Sequence, residues 1–208
     1  MNRLRSVEDV VLNGLIELLG QLVVNYVNRD FEEEEVKVAY VGKPAKVFIE
    51  DDYVELFRGS EYTLPRWIAQ ILQEKEMARL SSEEIDYISV TRISFNESRS
   101  RGQIKFEKLG GYFFSKIRSQ VAYIMKKYKS VDDLEKAHEI AQSITSLVTA
   151  TRNLYRVRLS KILSLVSVQD ISPEVLSNLS EEEKYLYAIV RSILEIFNSK
   201  IFEVSRHS

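Results

Sequence analysis

Cysteine is absent from this 208-residue chain, which excludes a disulfide framework, a thiolate metal site and a cysteine nucleophile. The two histidines, His138 and His207, leave almost nothing for a histidine-based metal site or catalytic triad. Seven glycines and three prolines give few chain breaks, which favours long helices and excludes collagen-like or low-complexity chains. Basic or acidic excess is also missing, since the formal net charge is −2. What is present is 45% hydrophobic residues, enough for one or two packed domains and too many for a disordered chain.

No run is apolar enough to cross a membrane. The best candidate, Val10 to Val27, is interrupted by Asn13, Glu17, Gln21 and Asn25 at helical spacing. Glu8 and Asp9 stand at its head and no small-residue cleavage site follows, so it does not read as a signal peptide. The expectation is a soluble cytoplasmic protein that makes no membrane contact.

The small net charge hides segregation. Asp30 to Glu61 holds ten acidic and four basic residues, whereas Arg92 to Lys129 holds ten basic and two acidic. Such blocks suit partner faces or nucleic acid, although most charge runs are simply solvated.

Periodicity divides the chain. Residues 1–30 predict an N-terminal helix, with Ser6 and Asp9 at capping-box spacing and an apolar stripe from Val7 to Tyr26. The acidic run Asp30 to Glu35 reads as a break. Residues 31–95 predict a small β-rich module: Val36, Val38 and Tyr40 alternate with Lys37 and Ala39, and two more strands cover Lys46–Ile49 and Tyr53–Phe57. A helix follows from Thr63 as N-cap, with Pro65 in its first turn and Leu64, Trp67, Ile68, Ile71 and Leu72 on one face. Ser81 and Glu84 suggest another helix start, and Tyr87 to Phe95 fits neither period. Residues 96–111, polar, basic and holding three glycines, predict a linker. Residues 112–208 predict a helical bundle, including a helix running from Ser130 to about Ser167, roughly 55 Å if continuous. Ser180 and Glu183 cap the last helix. The fold class is therefore mainly α with a small β-rich domain, a β/α module followed by a helical-bundle domain.

Catalytic patterns are missing as well. No dinucleotide or phosphate-binding glycine loop, nucleophile elbow or zinc-protease motif occurs. Asp51-Asp52 lacks the ligand spacing of a calcium loop and reads as a solvated turn, and His138 reads as a surface or interface residue. The reading is a non-enzymatic protein without metal or cofactor.

Two basic clusters invite partner hypotheses. In the first, Arg99, Arg101, Lys105 and Lys108 lie among Phe106, Tyr112, Phe113 and Phe114, so phosphates would meet cations and bases would meet rings. The bland alternative puts those rings in the core. In the second, Arg152, Tyr155, Arg156, Arg158 and Lys161 ride the long helix, where Arg152 and Arg156 share a face. Arginine and tyrosine are enriched at subunit interfaces, so Tyr112, Phe113, Phe114, Arg152, Tyr155 and Arg156 form the candidate interface.

The run Tyr62-Thr63-Leu64-Pro65-Arg66-Trp67-Ile68-Ala69, leading to Glu76-Met77-Ala78-Arg79-Leu80, resembles the signature helix in the small β-rich domain of GINS subunits. Within it Leu64, Pro65, Trp67, Ile68 and Ala69 are the structural signature, while Arg66 and Ile68 are mild departures. Gly111-Tyr112-Phe113-Phe114 resembles the family's aromatic start to its helical domain. Thr151-Arg152-Asn153 and Leu179-Ser180-Glu181-Glu182-Glu183 resemble its arginine-bearing helix and the helix start after it. The likeness covers roughly Val36 to Phe202 and has the domain order of the GINS type that places its small domain first. The N-terminal helix is not part of that pattern. The resemblance implies a non-catalytic subunit of the GINS replication complex, with other GINS subunits in a hetero-tetramer. It further implies bridging of the MCM helicase to a Cdc45/RecJ-like protein, with primase or polymerase as further partners. By the same resemblance the protein is nucleoid-associated in a prokaryote and nuclear in a eukaryote. The alternative is a basic helical nucleic-acid-binding protein that contacts single-stranded DNA through residues 92–129.

Overall fold

The computed structural model describes residues 7–49, 51–81, 85–100, 102, 104–128 and 133–203. They form a mainly helical protein with a small antiparallel sheet region, divided into two compact units, residues 1–83 and 84–208.

The first unit begins with α1 (Val7–Glu33), which runs through the acidic residues expected to break it. The helix ends one residue before β1 (Glu35–Tyr40), whose residues alternate as predicted: Val36, Val38 and Tyr40 are buried. β2 (Ala45–Ile49) and β3 (Asp52–Leu56) form an antiparallel hairpin with Val47 opposite Val54. β4 (Glu61–Pro65) pairs with one side of β1, setting Val36 opposite Leu64. After α2 (Arg66–Glu74), β5 (Ala78–Leu80) pairs antiparallel with the other side, giving a sheet of order β4-β1-β5. Thr63 therefore lies in a strand rather than at a helix cap. Pro65 itself holds the N-cap position, with φ −53°, and supplies the extended geometry that ends β4.

The core of this unit joins the buried β1 side chains to Leu56, Leu64, Ile68, Ala69, Leu72 and Ala78. The turn after β1 is tight. Gly42 and Val41 both donate backbone N–H bonds to the Met77 carbonyl, and the Tyr40 hydroxyl donates to the Lys43 carbonyl at 2.6 Å. A β-carbon on Gly42 would lie 2.9 Å from the Tyr40 oxygen and 3.0 Å from Met77 Cβ, so only glycine fits unshifted.

The second unit contains α3 (Tyr87–Arg99), α4 (Phe113–Tyr128), α5 (Leu134–Val166), α6 (Pro173–Ser177) and α7 (Glu181–Glu203). Asp86 caps α3, accepting the Ser89 N–H at 2.8 Å and its hydroxyl at 2.9 Å. Those bonds hold the Asp86 carboxyl below the usual carboxylate range, the backbone N–H contributing most. Asp133 caps α5; the expected Ser130 start, like the Ser81/Glu84 start and Ser6, involves residues outside those described. Glu183 accepts the Ser180 N–H at 2.9 Å, the back half of a capping box at α7.

Residues 96–111 are not a linker. Asn96 to Arg99 finish α3, and Phe106 and Leu109 are buried at 4% and 3% exposure within the second unit. Their backbone is held there too: Leu109 N–H donates to the Asn178 carbonyl at 3.1 Å, and Glu181 N–H to the Gly111 carbonyl at 2.9 Å. Polarity and glycine content predict a linker, but two apolar residues, Phe106 and Leu109, suffice to draw the segment that holds them into the second unit. Val90, Leu109, Phe113, Ile117, Leu147 and Leu154 make one core cluster, and Phe106, Ile162, Leu165 and Leu179 a second.

Candidate interaction surfaces

On α2, the face formed by Ile68, Ala69 and Leu72 packs on the sheet, with Leu64 of β4 beside it. A nine-residue helix has one such face. Trp67 and Ile71, one turn apart, fall outside it and remain 44% and 46% exposed. Both were expected in the apolar stripe; the structure leaves them as a paired apolar ridge. Arg66, which hydropathy places outward, is instead buried at 5% exposure. Its guanidinium donates to Glu34 (Nε to Oε2, 3.1 Å, with Nη2 also in contact) and lies 4.5 Å from the centre of the Phe31 ring.

The long helix carries two different sets of cations. Arg152, Tyr155 and Arg156 are exposed. Tyr155 meets Phe114 edge to face at 5.5 Å between ring centres. Arg158 and Lys161, grouped with them on sequence, turn the other way and are buried. Arg158 forms a two-pronged pair with Glu183 (Nε–Oε1 and Nη2–Oε2, both 2.7 Å) and contacts Glu97 through Nη1. It also donates to the carbonyls of Glu107 at 2.9 Å and Asn178 at 3.1 Å. Lys161 contacts Glu97, the Ser100 hydroxyl at 2.8 Å and the Lys105 carbonyl at 2.9 Å. Both cations lie over the Phe106 ring. Two acids and two bases thus balance in the interior, and the network serves architecture. The signal for it was thin: Glu97 is one of two acids in the basic block, and Arg158 follows Leu154 by one turn on the apolar side.

Tyr112 and Phe113 are each 8% exposed, inside their own unit, and so are withdrawn from the expected subunit interface. Their neighbour Phe106 is buried as well. Phe106, Tyr112 and Phe113 are therefore core rather than a stacking platform and Phe114 is half-buried beside them, while Phe95, Arg99, Lys105 and Lys108 are exposed. The Arg99 guanidinium lies 5.7 Å from the centre of the Phe95 ring. Arg101 lies outside the described residues. Between α3 and α5 runs a polar groove of about 660 Å³, lined by Ser94, Ser98, Asn153, Arg156 and Ser160 among others.

Apolar surface is large elsewhere. Along the C-terminal half of α7, Ile193, Ile196, Phe197 and Ile201 are 50–64% exposed. These four side chains share one side of the helix and form a contiguous apolar strip rather than scattered single residues. Among the described residues no group of three or more His, Asp or Glu side chains converges on a metal-binding geometry. His138 is exposed, as are Asp51 and Asp52. Among the described residues no helix is long and apolar enough to cross a membrane. No protein-family model matches the chain, and no curated protein matches it.

Proposed function

We propose that the chain is a non-catalytic assembly subunit of the GINS type, its first unit corresponding to the small β-rich domain and its second to the helical domain. The observation that carries this reading is the apolar face of α7, continuous over two turns and uncovered within its own unit. A helix face of that kind needs a partner helix, and the exposed Arg152, Tyr155 and Arg156 on α5 add the residue types that interfaces favour. The order of Leu64-Pro65-Arg66-Trp67, Gly111-Tyr112-Phe113-Phe114 and Leu179-Ser180-Glu181-Glu182-Glu183 supports the GINS identity. In that role the protein joins other GINS subunits and helps bridge the MCM helicase to a Cdc45/RecJ-like protein. DNA contact, on this reading, is made through phosphates by Arg99, Lys105 and Lys108, because Phe106, Tyr112 and Phe113 are unavailable to stack on bases.

The test is co-expression with a GINS subunit of the opposite domain order. Stable co-purification is expected, and Ile193→Glu with Phe197→Glu abolishes it. Failure of the unmodified chain to co-purify with any such subunit overturns the reading.

A further inference from the structure

Within its own unit α1 stands without cover over most of its length. Between Val11 and Tyr26 nine large apolar side chains are each 53–60% exposed. Its anchor in the first unit is at the far end, where Phe31 is 3% exposed beneath Arg66. A helix apolar on most sides is normally buried, so this one calls for an occupant.

The pattern along α1 says what kind. The rows Leu12–Leu19–Tyr26 and Leu15–Leu22 recur every seven residues, the spacing by which one helix packs along another. A narrow polar edge lies opposite, where the Gln21 amide donates to Glu17 at 3.3 Å. A membrane surface would instead favour a broad face rich in lysine and arginine. From Val7 to Asn28 there is no basic residue at all.

Area and charge then select the partner. Nine side chains more than half exposed present roughly 800 Å² per copy around the helix, and a partner helix covers the side that carries the leucine rows. Residues 29–35 carry five acids and one base, with Glu33 paired to Arg29 and Glu34 to Arg66, whereas residues 1–9 carry two of each. A parallel pair would set the two acidic ends side by side. An antiparallel pair sets each acidic end beside the positive dipole end of the other helix.

We propose that α1 pairs antiparallel with α1 of a second copy of this chain, centred between Leu18 and Leu19. That centre brings the apolar stretches into full overlap, with Leu15 opposite Leu22, and places Glu17 opposite Gly20 rather than opposite itself. The pairing stands independently of the replication reading.

The absence of cysteine makes the test direct. Light scattering of the full chain should give about twice the 24.2 kDa of one copy, and Leu15→Glu with Leu19→Glu should halve it. Unchanged Trp67 fluorescence would show that the sheet unit of the variant remains folded. Under oxidation, Leu19→Cys should cross-link to itself. Val11→Cys and Tyr26→Cys should cross-link when mixed and not when alone. A single-copy mass for the unmodified chain overturns the proposal. Self-cross-linking of Val11→Cys and of Tyr26→Cys, each alone, means a parallel pair and overturns it too. So does flotation with phosphatidylcholine/phosphatidylserine vesicles that the double glutamate variant abolishes, since the occupant is then a membrane. The variant should still co-purify with a GINS subunit, which separates this test from that of the proposed function.

Discussion

Replacing Arg158 with methionine removes the cation that touches both Glu97 and Glu183, the buried carboxylates among the described residues of the second unit. Arg158 and Glu97 are 0% exposed and Glu183 is 1%, so water cannot take over the lost charge. Glu183 would keep only its bond from Ser180 N–H at 2.9 Å, and Glu97 would keep Lys161 and the Glu107 N–H at 2.8 Å. The carbonyls of Glu107 and Asn178 would each lose a donor. Breaking one partner out of a buried ion network costs about 3–5 kcal/mol. With a urea dependence of about 2 kcal/mol per molar, the unfolding midpoint should fall by about 2 M. The two units report separately. Trp67, the sole tryptophan, lies in the first unit, while most helix lies in the second and dominates circular dichroism at 222 nm. The dichroism transition should move and the fluorescence transition should not. Glu97→Gln combined with Lys161→Met should cost less than Glu97→Gln alone, because the Arg158–Glu183 pair then remains balanced. A loss below about 1 kcal/mol, the range of a solvated surface pair, would refute the argument. An equal shift of the Trp67 signal would also refute it.

Three smaller expectations follow from local geometry. Gly42→Ala should destabilise the first unit by about 1–3 kcal/mol, read from Trp67 fluorescence, because its β-carbon meets Tyr40 and Met77 at or below 3.0 Å; an unchanged midpoint would contradict the packing. Tyr40→Phe should cost about 1 kcal/mol through the lost bond to the Lys43 carbonyl. Burial, and then Tyr62, pushes the Tyr40 phenol above its ordinary value, so the fold favours the neutral form. Its contribution is complete below the unfolded pKa, about 10, and is lost as pH rises through the folded one; a tyrosine titrating at or below the ordinary value would oppose this. Asp86 has the reverse sign. Its carboxyl sits low, so its cap contribution is present above the unfolded value of about 3.9 and disappears as pH falls through the folded value. Carbon NMR should place its titration below that of a free aspartate, and Asp86→Asn should keep the cap while removing the pH dependence.

Period-2 alternation located β1 because its two faces differ sharply: Val36, Val38 and Tyr40 are buried while Glu35 and Lys37 are exposed. Helical spacing located α4, α5 and α7 for the same reason. The misreadings arose where polarity and burial part company. Asp30 to Glu33 remain helical because acids are tolerated on a solvent-facing helix, and α1 needs no break until the chain turns into β1. Trp67 looked like core by size, yet α2 is too short to bury every apolar residue it carries. Arg66, Arg158 and Lys161 looked like surface by charge. Their burial depends on carboxylates 25 to 64 positions away in sequence, which no local pattern can reveal.

The buried network also bears on how the chain is made. Every strand pairing of the first unit lies within residues 35–80, so its sheet can close while the rest is still being synthesised. The second unit has no such freedom. Arg158 reaches back 61 positions to Glu97 and forward 25 to Glu183. Until Glu183 leaves the ribosome, burying Arg158 would strand it with half its counter-charge. The helical unit therefore closes late, as the last helix emerges. A truncation just before α7 should leave the sheet unit intact beside an open helical one.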